Sequence, residues 1–326
     1  MKSRYICINK IFISLSLASV FFIIGCSSFS TIVNKTKNAG SAIINKTKDT
    51  GLKLMPSESR LKKKIGFIYF DNISEVKDES LIKHLWVCVK EDLTSKCPEA
   101  LIVLPGETDR ARFLSDPPVD SSGKIDNIAL IKKGREIGLN AILLSTITNI
   151  IPNEKESGFI WFKKKHNFLE LRIKTEIFDT HTAAKYLFKT ITGKIEIDPS
   201  TADDILKKDL LSIPEFEAAM GKASKEIAKN ACDAIKSQPW KGYIISAKGN
   251  KAVISSGADV GIEAGDVFKV YNIYGKVEGT EGSQYFIPGQ ETDELKITSV
   301  ASHNATGVTV SGKQITLESI VQFKEK

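Results

Sequence analysis

Hydrophobic positions along the chain fall into runs and periodicities that mark out its elements. Residues 65–70 form a compact apolar run, as a buried strand does, and Asp71-Asn72 after it read as a turn. Over residues 79–96, Ile82, Leu85, Trp86, Val89 and Leu93 recur at helical spacing, which predicts an amphipathic helix. Residues 101–104 read as a second strand stopped by Pro105-Gly106, and residues 116–123 as a loop. A helix over residues 125–137 ends at Gly138, a residue suited to the left-handed position after a helix, and a strand over 141–151 follows. Leu169, Leu171, Ile173, Thr175 and Ile177 alternate as a half-buried strand should, and residues 185–197 are expected to return as its hairpin partner across 179–184. The stretch 152–167 reads as a polar insert, apolar only over 158–162. Helices over 202–211 and 215–236 close this part. Strands first separated by helices and then meandering predict an α/β fold, an α+β sandwich, over residues 62–237.

The rest, residues 238–326, changes character to short strands and turn signals. Residues 242–247 and 252–255 read as a hairpin across Lys248-Gly249-Asn250-Lys251, and Gly261, Gly265 and Asp266 provide turns before a strand over 267–271. Later strands are expected over 295–301 and 306–310. The pattern predicts a small SH3-like β-barrel.

At the other end, Lys2, Arg4 and Lys10 precede an apolar stretch, residues 11–24, broken only by Ser14, Ser16 and Ser19. It is short for a membrane span, which takes about 20 apolar residues. It ends in Ile23-Ile24-Gly25-Cys26, with polar Ser27-Ser28 directly after, which is the layout of a secretory signal. Ile23, Ile24, Gly25 and Cys26 resemble the lipobox of bacterial lipoproteins. The resemblance implies a diacylglyceryl thioether on Cys26, cleavage of residues 1–25 after Gly25, and acylation of the new amine. Ser27, where some lipoproteins carry Asp, implies sorting to the outer membrane with the protein facing the periplasm.

Residues 26–61 are then a basic linker in which Ile32-Val33-Asn34-Lys35-Thr36-Lys37 returns eleven residues later as Ile43-Ile44-Asn45-Lys46-Thr47-Lys48. A period of eleven places the apolar pairs on one helical face, suited to lying on anionic headgroups. Gly40, Gly51 and the weak helix formers Thr and Asn favour a flexible spacer instead.

Composition narrows the function classes. An apolar share of 42% and a charged share of 26% are those of ordinary globular domains. Three basic residues lie ahead of the expected cleavage point, so the net charge of +7 falls to +4, too mild to argue for nucleic acid. In an oxidising compartment Cys88 and Cys97, nine residues apart, are candidates for a disulfide, with Cys232 left over; buried thiols, or a metal held with His84, are the alternatives. No phosphate-binding glycine loop, zinc-protease helix or nucleophile elbow is present. His166, His181 and His303 fall in or beside turns and read as ordinary histidines. Lys163-Lys164-Lys165 beside Trp161 and Phe162 read first as a solvated hairpin tip, with contact to lipid or acidic glycans as the sharper alternative. No catalytic, cofactor or metal site is expected.

Three segments carry a resemblance in order: Ile65-Gly66-Phe67-Ile68-Tyr69-Phe70, then Gly134-Arg135-Glu136-Ile137-Gly138-Leu139-Asn140-Ala141-Ile142-Leu143-Leu144, then Leu171 to Phe188 with the hairpin turn Asp179-Thr180-His181-Thr182. Together they resemble the domain shared by the N-terminus of the Tol system's B protein, the curli secretion lipoprotein and flagellar protein T. Ala183 stands where that group usually has Gly. Gly261-Ile262, Gly265-Asp266, Phe268 and Val270 resemble the C-terminal domain of flagellar protein T. The resemblance implies a non-enzymatic envelope scaffold or assembly protein, self-associating into a ring or contacting other envelope proteins. A regulator of a peptidoglycan synthase is the alternative, and a glycan binder using Trp161, Trp240 and Tyr271 a third. A curli-type channel is disfavoured, because residues 152–167 lack alternating apolar strands of roughly 9–11 residues.

Overall fold

Strand β1 (Lys63–Phe67) runs between two parallel neighbours, β3 (Ala100–Val103) and β4 (Leu139–Ser157). The computed structural model describes residues 60–324, apart from 70, 77, 160, 162 and 200–209. The two residues of β2 (Asp71–Asn72), read in the sequence as a turn, pair parallel with Thr146 and Ile147 of β4. From β4 the chain meanders antiparallel through β5 (Lys164–Asp179) and β6 (Lys185–Ile197), giving the order β3-β1-β4-β5-β6.

Alternation along β4 sends its side chains to two cores. Leu143 and Ile147 face helices α1 (Glu79–Lys96) and α3 (Pro214–Lys236), which contribute Leu85, Val89, Leu93, Phe216, Met220 and Ile227. Leu139, Ile142 and Leu144 face α2 (Asn127–Glu136) and the 3-10 turn Asp109–Leu114 on the other side. The fold is therefore layered, with helices on both faces of a mixed sheet. Local chemistry sets the helix ends. Asp78 accepts from Ser80 N ahead of α1, Asp126 accepts from Ala129 N ahead of α2, and Pro214 opens α3.

The β4–β5 ladder continues well past the body, to Ser157 opposite Lys164. Residues 152–159 are all exposed, so this part stands out as a two-stranded arm over the stretch that the sequence marks as a polar insert with a solvated hairpin tip. Cross-strand ion pairs Lys163–Glu156 (3.0 Å) and Lys165–Glu154 (2.9 Å) line it.

A second sheet closes on itself as a six-stranded barrel in the order β10-β11-β8-β7-β12-β9. Its strands are β7 (Lys241–Lys248), β8 (Lys251–Ile254), β9 (Val267–Glu278), β10 (Gln284–Val300), β11 (Ala305–Thr309) and β12 (Ile320–Phe323). Phe268 centres its core, with ring centroids 5.4 Å from Trp240 and 5.3 Å from Phe323. Strand β12, not foreseen in the sequence, completes the barrel by joining β7 to β9. Leu61–Lys326 forms one compact unit. The helix expected over 202–211 lies mostly outside the described residues; Leu210–Ser212 forms a 3-10 turn. The signal sequence, the lipobox and most of the linker also lie outside them.

The expected Cys88–Cys97 disulfide is corrected. Cys97 is bonded to Cys232, with their Cα atoms 5.6 Å apart. Helix α1 runs unbroken to Lys96, so nine residues at a rise of about 1.5 Å each hold Cys88 and Cys97 roughly 14 Å apart along the axis. That exceeds the reach of a disulfide. Cys232, near the end of α3, meets Cys97 at the end of α1 because the two helices pack side by side on the sheet. Cys88 Sγ lies 3.6 Å from a ring nitrogen of His84 one turn earlier. Cys97 is thus committed to Cys232, which leaves His84, Cys88 and Cys97 no common metal.

Candidate functional site

Polar groups concentrate where the barrel meets the mixed sheet. The meeting surface is built from the two motifs that carried the family resemblance. The turn between β5 and β6 is wound around Asp179, whose carboxylate accepts from His181 N (3.0 Å), Thr182 N (3.2 Å) and Thr182 Oγ1 (2.8 Å). Ala183 holds φ +64° in this turn, a conformation that explains why Gly is usual there.

Arg135, near the end of α2, reaches under that turn. Its Nε donates to Thr180 O (2.7 Å) and its Nη2 to His181 O (2.6 Å). Two aromatic rings of the barrel flank the guanidinium, Phe286 at 4.1 Å and Tyr243 at 5.3 Å from ring centre to Cζ. Arg135 is 5% exposed, and its Nη1 has no partner among the described residues. Thr180 donates and accepts at once between Leu139 O and the Tyr243 hydroxyl, both at 2.6 Å. Burial raises the Tyr243 phenol above its usual range despite the neighbouring guanidinium, so it stays neutral.

Two buried ion pairs cross the same surface. Lys64 of β1 meets Asp259 of the barrel at 2.7 Å, with the side chains 5% and 15% exposed. Desolvation alone would raise the Asp259 carboxyl; hydrogen bonds from Lys64 and His303 outweigh it and the net shift is downward. Lys241, the first residue of β7, approaches Asp179 at 3.7 Å. Its ammonium is lowered by desolvation first, with Asp179 opposing the shift. His181 is pushed down to about 4, first by burial and then by the positive charge of Lys241, so it is neutral at physiological pH.

Backbone and amide groups complete the join. Asn140 accepts from Lys64 N (3.0 Å) and donates to Lys241 O (2.7 Å). Lys62 N bonds Val260 O (2.9 Å), Trp240 Nε1 donates to Lys62 O (3.2 Å), and Phe286 N bonds Thr182 O (2.9 Å). Gly138 sits at φ +75°, and a Cβ there would come 2.1 Å from Ser255 O of the barrel. The glycine therefore both ends α2 and lets the barrel approach. Leu61 lies in the barrel core and Phe286 in the core around α2, so each fold fills part of the other.

This surface is closed, and its chemistry is that of a join between two folds. Trp240 is 1% exposed, packed where the folds meet, which removes it as a glycan platform. Outside the join, His166 pairs with Glu196 (2.7 Å), while the exposed His303 reaches the join's edge at Asp259 (2.8 Å). A shallow groove of about 490 Å³ runs between β6 and α3, lined by Ile191, Gly193, Ile195, Ala219, Ala223 and flanking Lys and Glu side chains. Lys64 and Lys241 were not legible as site residues. The one signal was Gly138 followed by Asn140, part of the quoted motif, both of which contact the barrel.

No protein-family model matches the sequence, and no curated protein matches it. Among solved structures, the chain is similar to a hypothetical protein of Chlamydia trachomatis (TM-score 0.36, 10% identity, over 54% of this chain and 99% of that one). It is also similar to a lipoprotein of Neisseria meningitidis (TM-score 0.28, 11% identity, 44% and 92%). A third is TolB of Acinetobacter baumannii (TM-score 0.28, 10% identity, 75% and 57%). These TM-scores carry no argument about function. No helix among the described residues is long and apolar enough to cross a membrane.

Proposed function

We propose that the chain is a lipid-anchored scaffold or assembly protein of the bacterial envelope, non-enzymatic, acting through contacts with other envelope proteins. In this reading the lipid on Cys26 holds it at the periplasmic face of the outer membrane. The mixed sheet corresponds to the TolB N-terminal-like domain and the barrel to the SH3-like domain of a flagellar ring-type protein. The supporting observation is the join itself: Arg135, Lys64–Asp259 and Lys241–Asp179 are buried between the two folds and fix their spacing. A protein that sets distances between partners needs its contact surfaces held in register, and a buried, hydrogen-bonded interface does this better than a flexible linker.

A curli-type channel fits less well, because the β4–β5 arm carries Glu154, Lys155 and Glu156 where a spanning hairpin needs an apolar face. The test is cross-linking in intact cells, with the tagged protein purified and its partners identified by mass spectrometry, beside palmitate labelling of the parent and Cys26→Ala. Palmitate on the parent only, with ring components and self-cross-links, supports the reading. Recovery of a peptidoglycan synthase alone replaces it with the regulator.

A further inference from the structure

The β4–β5 arm leaves two aromatic side chains in water at its tip. Trp161 is 86% exposed and Phe159 79%, and Gly158 beside them turns the chain at φ +127°. The other two tryptophans are accommodated: Trp240 is buried, and Trp86 stacks on Phe67 with ring centroids 5.5 Å apart. Exposed aromatics of this size forgo the gain of burial. Lysines surround the tip. Glu154 and Glu156 are occupied by Lys165 and Lys163, while Lys155 and Lys164 make no ion pair among the described residues. Four lysines against two glutamates over residues 154–165 leave the arm positive.

We propose that this tip docks on the surface of an anionic lipid bilayer, with Trp161 and Phe159 seated at the headgroup level and Lys155 and Lys164 against lipid phosphates. Trp prefers that zone because its ring is apolar and its N–H stays hydrogen-bonded. Each unpaired lysine near an anionic surface adds electrostatic attraction that a neutral surface lacks. Every described residue from 152 to 165 is exposed, so Phe159 and Trp161 stand at the end of an arm whose remaining described side chains are nearly all polar or charged. Exposed aromatics beside a net positive charge match an anionic interface, which offers an apolar zone next to phosphates. Spanning is disfavoured by composition: the ladder beyond Ile151 runs six residues, roughly 20 Å at about 3.3 Å each, and all of them are exposed and polar or charged apart from Pro152, so the arm lacks the apolar face that a spanning hairpin needs. The proposal rests on the lipid-anchor reading only for proximity.

The test is tryptophan quenching. The full-length protein is mixed with vesicles whose acyl chains are brominated close to the headgroups, either phosphatidylglycerol-rich or purely phosphatidylcholine. The parent should lose fluorescence on the anionic vesicles, and Trp161→Phe should abolish that loss. Phe159→Ser and the pair Lys155→Glu with Lys164→Glu should reduce it. Protein that floats with the vesicles while parent and Trp161→Phe quench equally overturns tip docking and leaves the anchor reading standing. Equal quenching on neutral and anionic vesicles overturns the proposal too. So does a photo-cross-linker at position 161 that captures a discrete protein in cells, which would assign the tip to a protein partner.

Discussion

The β4–β5 hairpin has two ends that share one hydrogen-bond ladder and have opposite fates. At the body end, Asp179 and the turn after it sit beneath the barrel, close to Lys241, Arg135 and Tyr243. At the far end, Glu154, Lys155, Trp161 and Lys165 lie in water. The ion pairs make the contrast quantitative. Lys64–Asp259 at the join and Lys165–Glu154 on the arm have similar lengths, 2.7 and 2.9 Å, but side-chain exposures of 5% and 15% against 65% and 48%. Geometry is shared; solvent is not. A pair in water is screened and gains little, whereas a buried pair makes each partner costly to lose, because the survivor is left charged without its counterion.

The largest expected effect follows from that asymmetry. Asp259→Ala strands the Lys64 ammonium at 5% exposure and should cost about 3–5 kcal/mol, read as a shift in denaturant midpoint. Replacing both partners with apolar residues of similar volume should recover much of the loss. A double variant as unstable as the single one would show that the pair is not what the join depends on. Next comes the disulfide, which closes a separation of 135 residues. Cys232→Ser should cost roughly 2–4 kcal/mol, with unfolding that no longer responds to reductant at Cys97. An unchanged midpoint would mean that Cys97 is not bonded to Cys232.

What was legible in the sequence divides along the same line. Helix α1 could be bounded from the sequence because apolar residues such as Leu85, Val89 and Leu93 recur along it at helical spacing, and β6 because it returns as the hairpin partner of β5. The arm was read as a polar insert with a hairpin tip rather than as paired strands because both of its faces are wet, so no apolar alternation marks it; backbone pairing and exposed ion pairs hold it as strand. β12 was missed for a different reason: four residues closing a barrel have too little length to show a period. The join was hidden most completely. Arg135, Lys64, Lys241 and Asp179 are residue types that usually face water, and nothing local says which ones a second fold will cover. The motif residues Gly138 and Thr180 were visible, but their purpose became clear only once Ser255 and Tyr243 lay against them.

His181 offers a smaller effect that reports on the join without breaking it. Its folded pKa of about 4 lies below the usual histidine value of 6.5. The unfolded chain therefore binds the proton first as pH falls. The contribution is fully present above about pH 6.5 and is lost progressively down to about pH 4, by at most roughly 3 kcal/mol. His181→Asn should flatten the stability profile between those limits. Glu176 and Asp259, both held low, add a further loss in the same direction at lower pH, which His181→Asn leaves in place. A parent profile already flat from pH 6.5 to 4 would mean that the histidine is solvated and the join more open than its burial indicates.

The smallest effect is expected at the far end of the hairpin. Glu154→Ala removes the partner of Lys165, but the lysine remains 65% exposed and is rehydrated at once. The denaturant midpoint should hardly move, and the effect should fade further as salt is raised. Set beside Asp259→Ala, this compares one kind of contact, of nearly one length, in two solvents. If Glu154→Ala proved as damaging as Asp259→Ala, the arm would be packed against something rather than standing in water. Trp161 would then be a covered residue, and its exposure could no longer argue for a lipid surface.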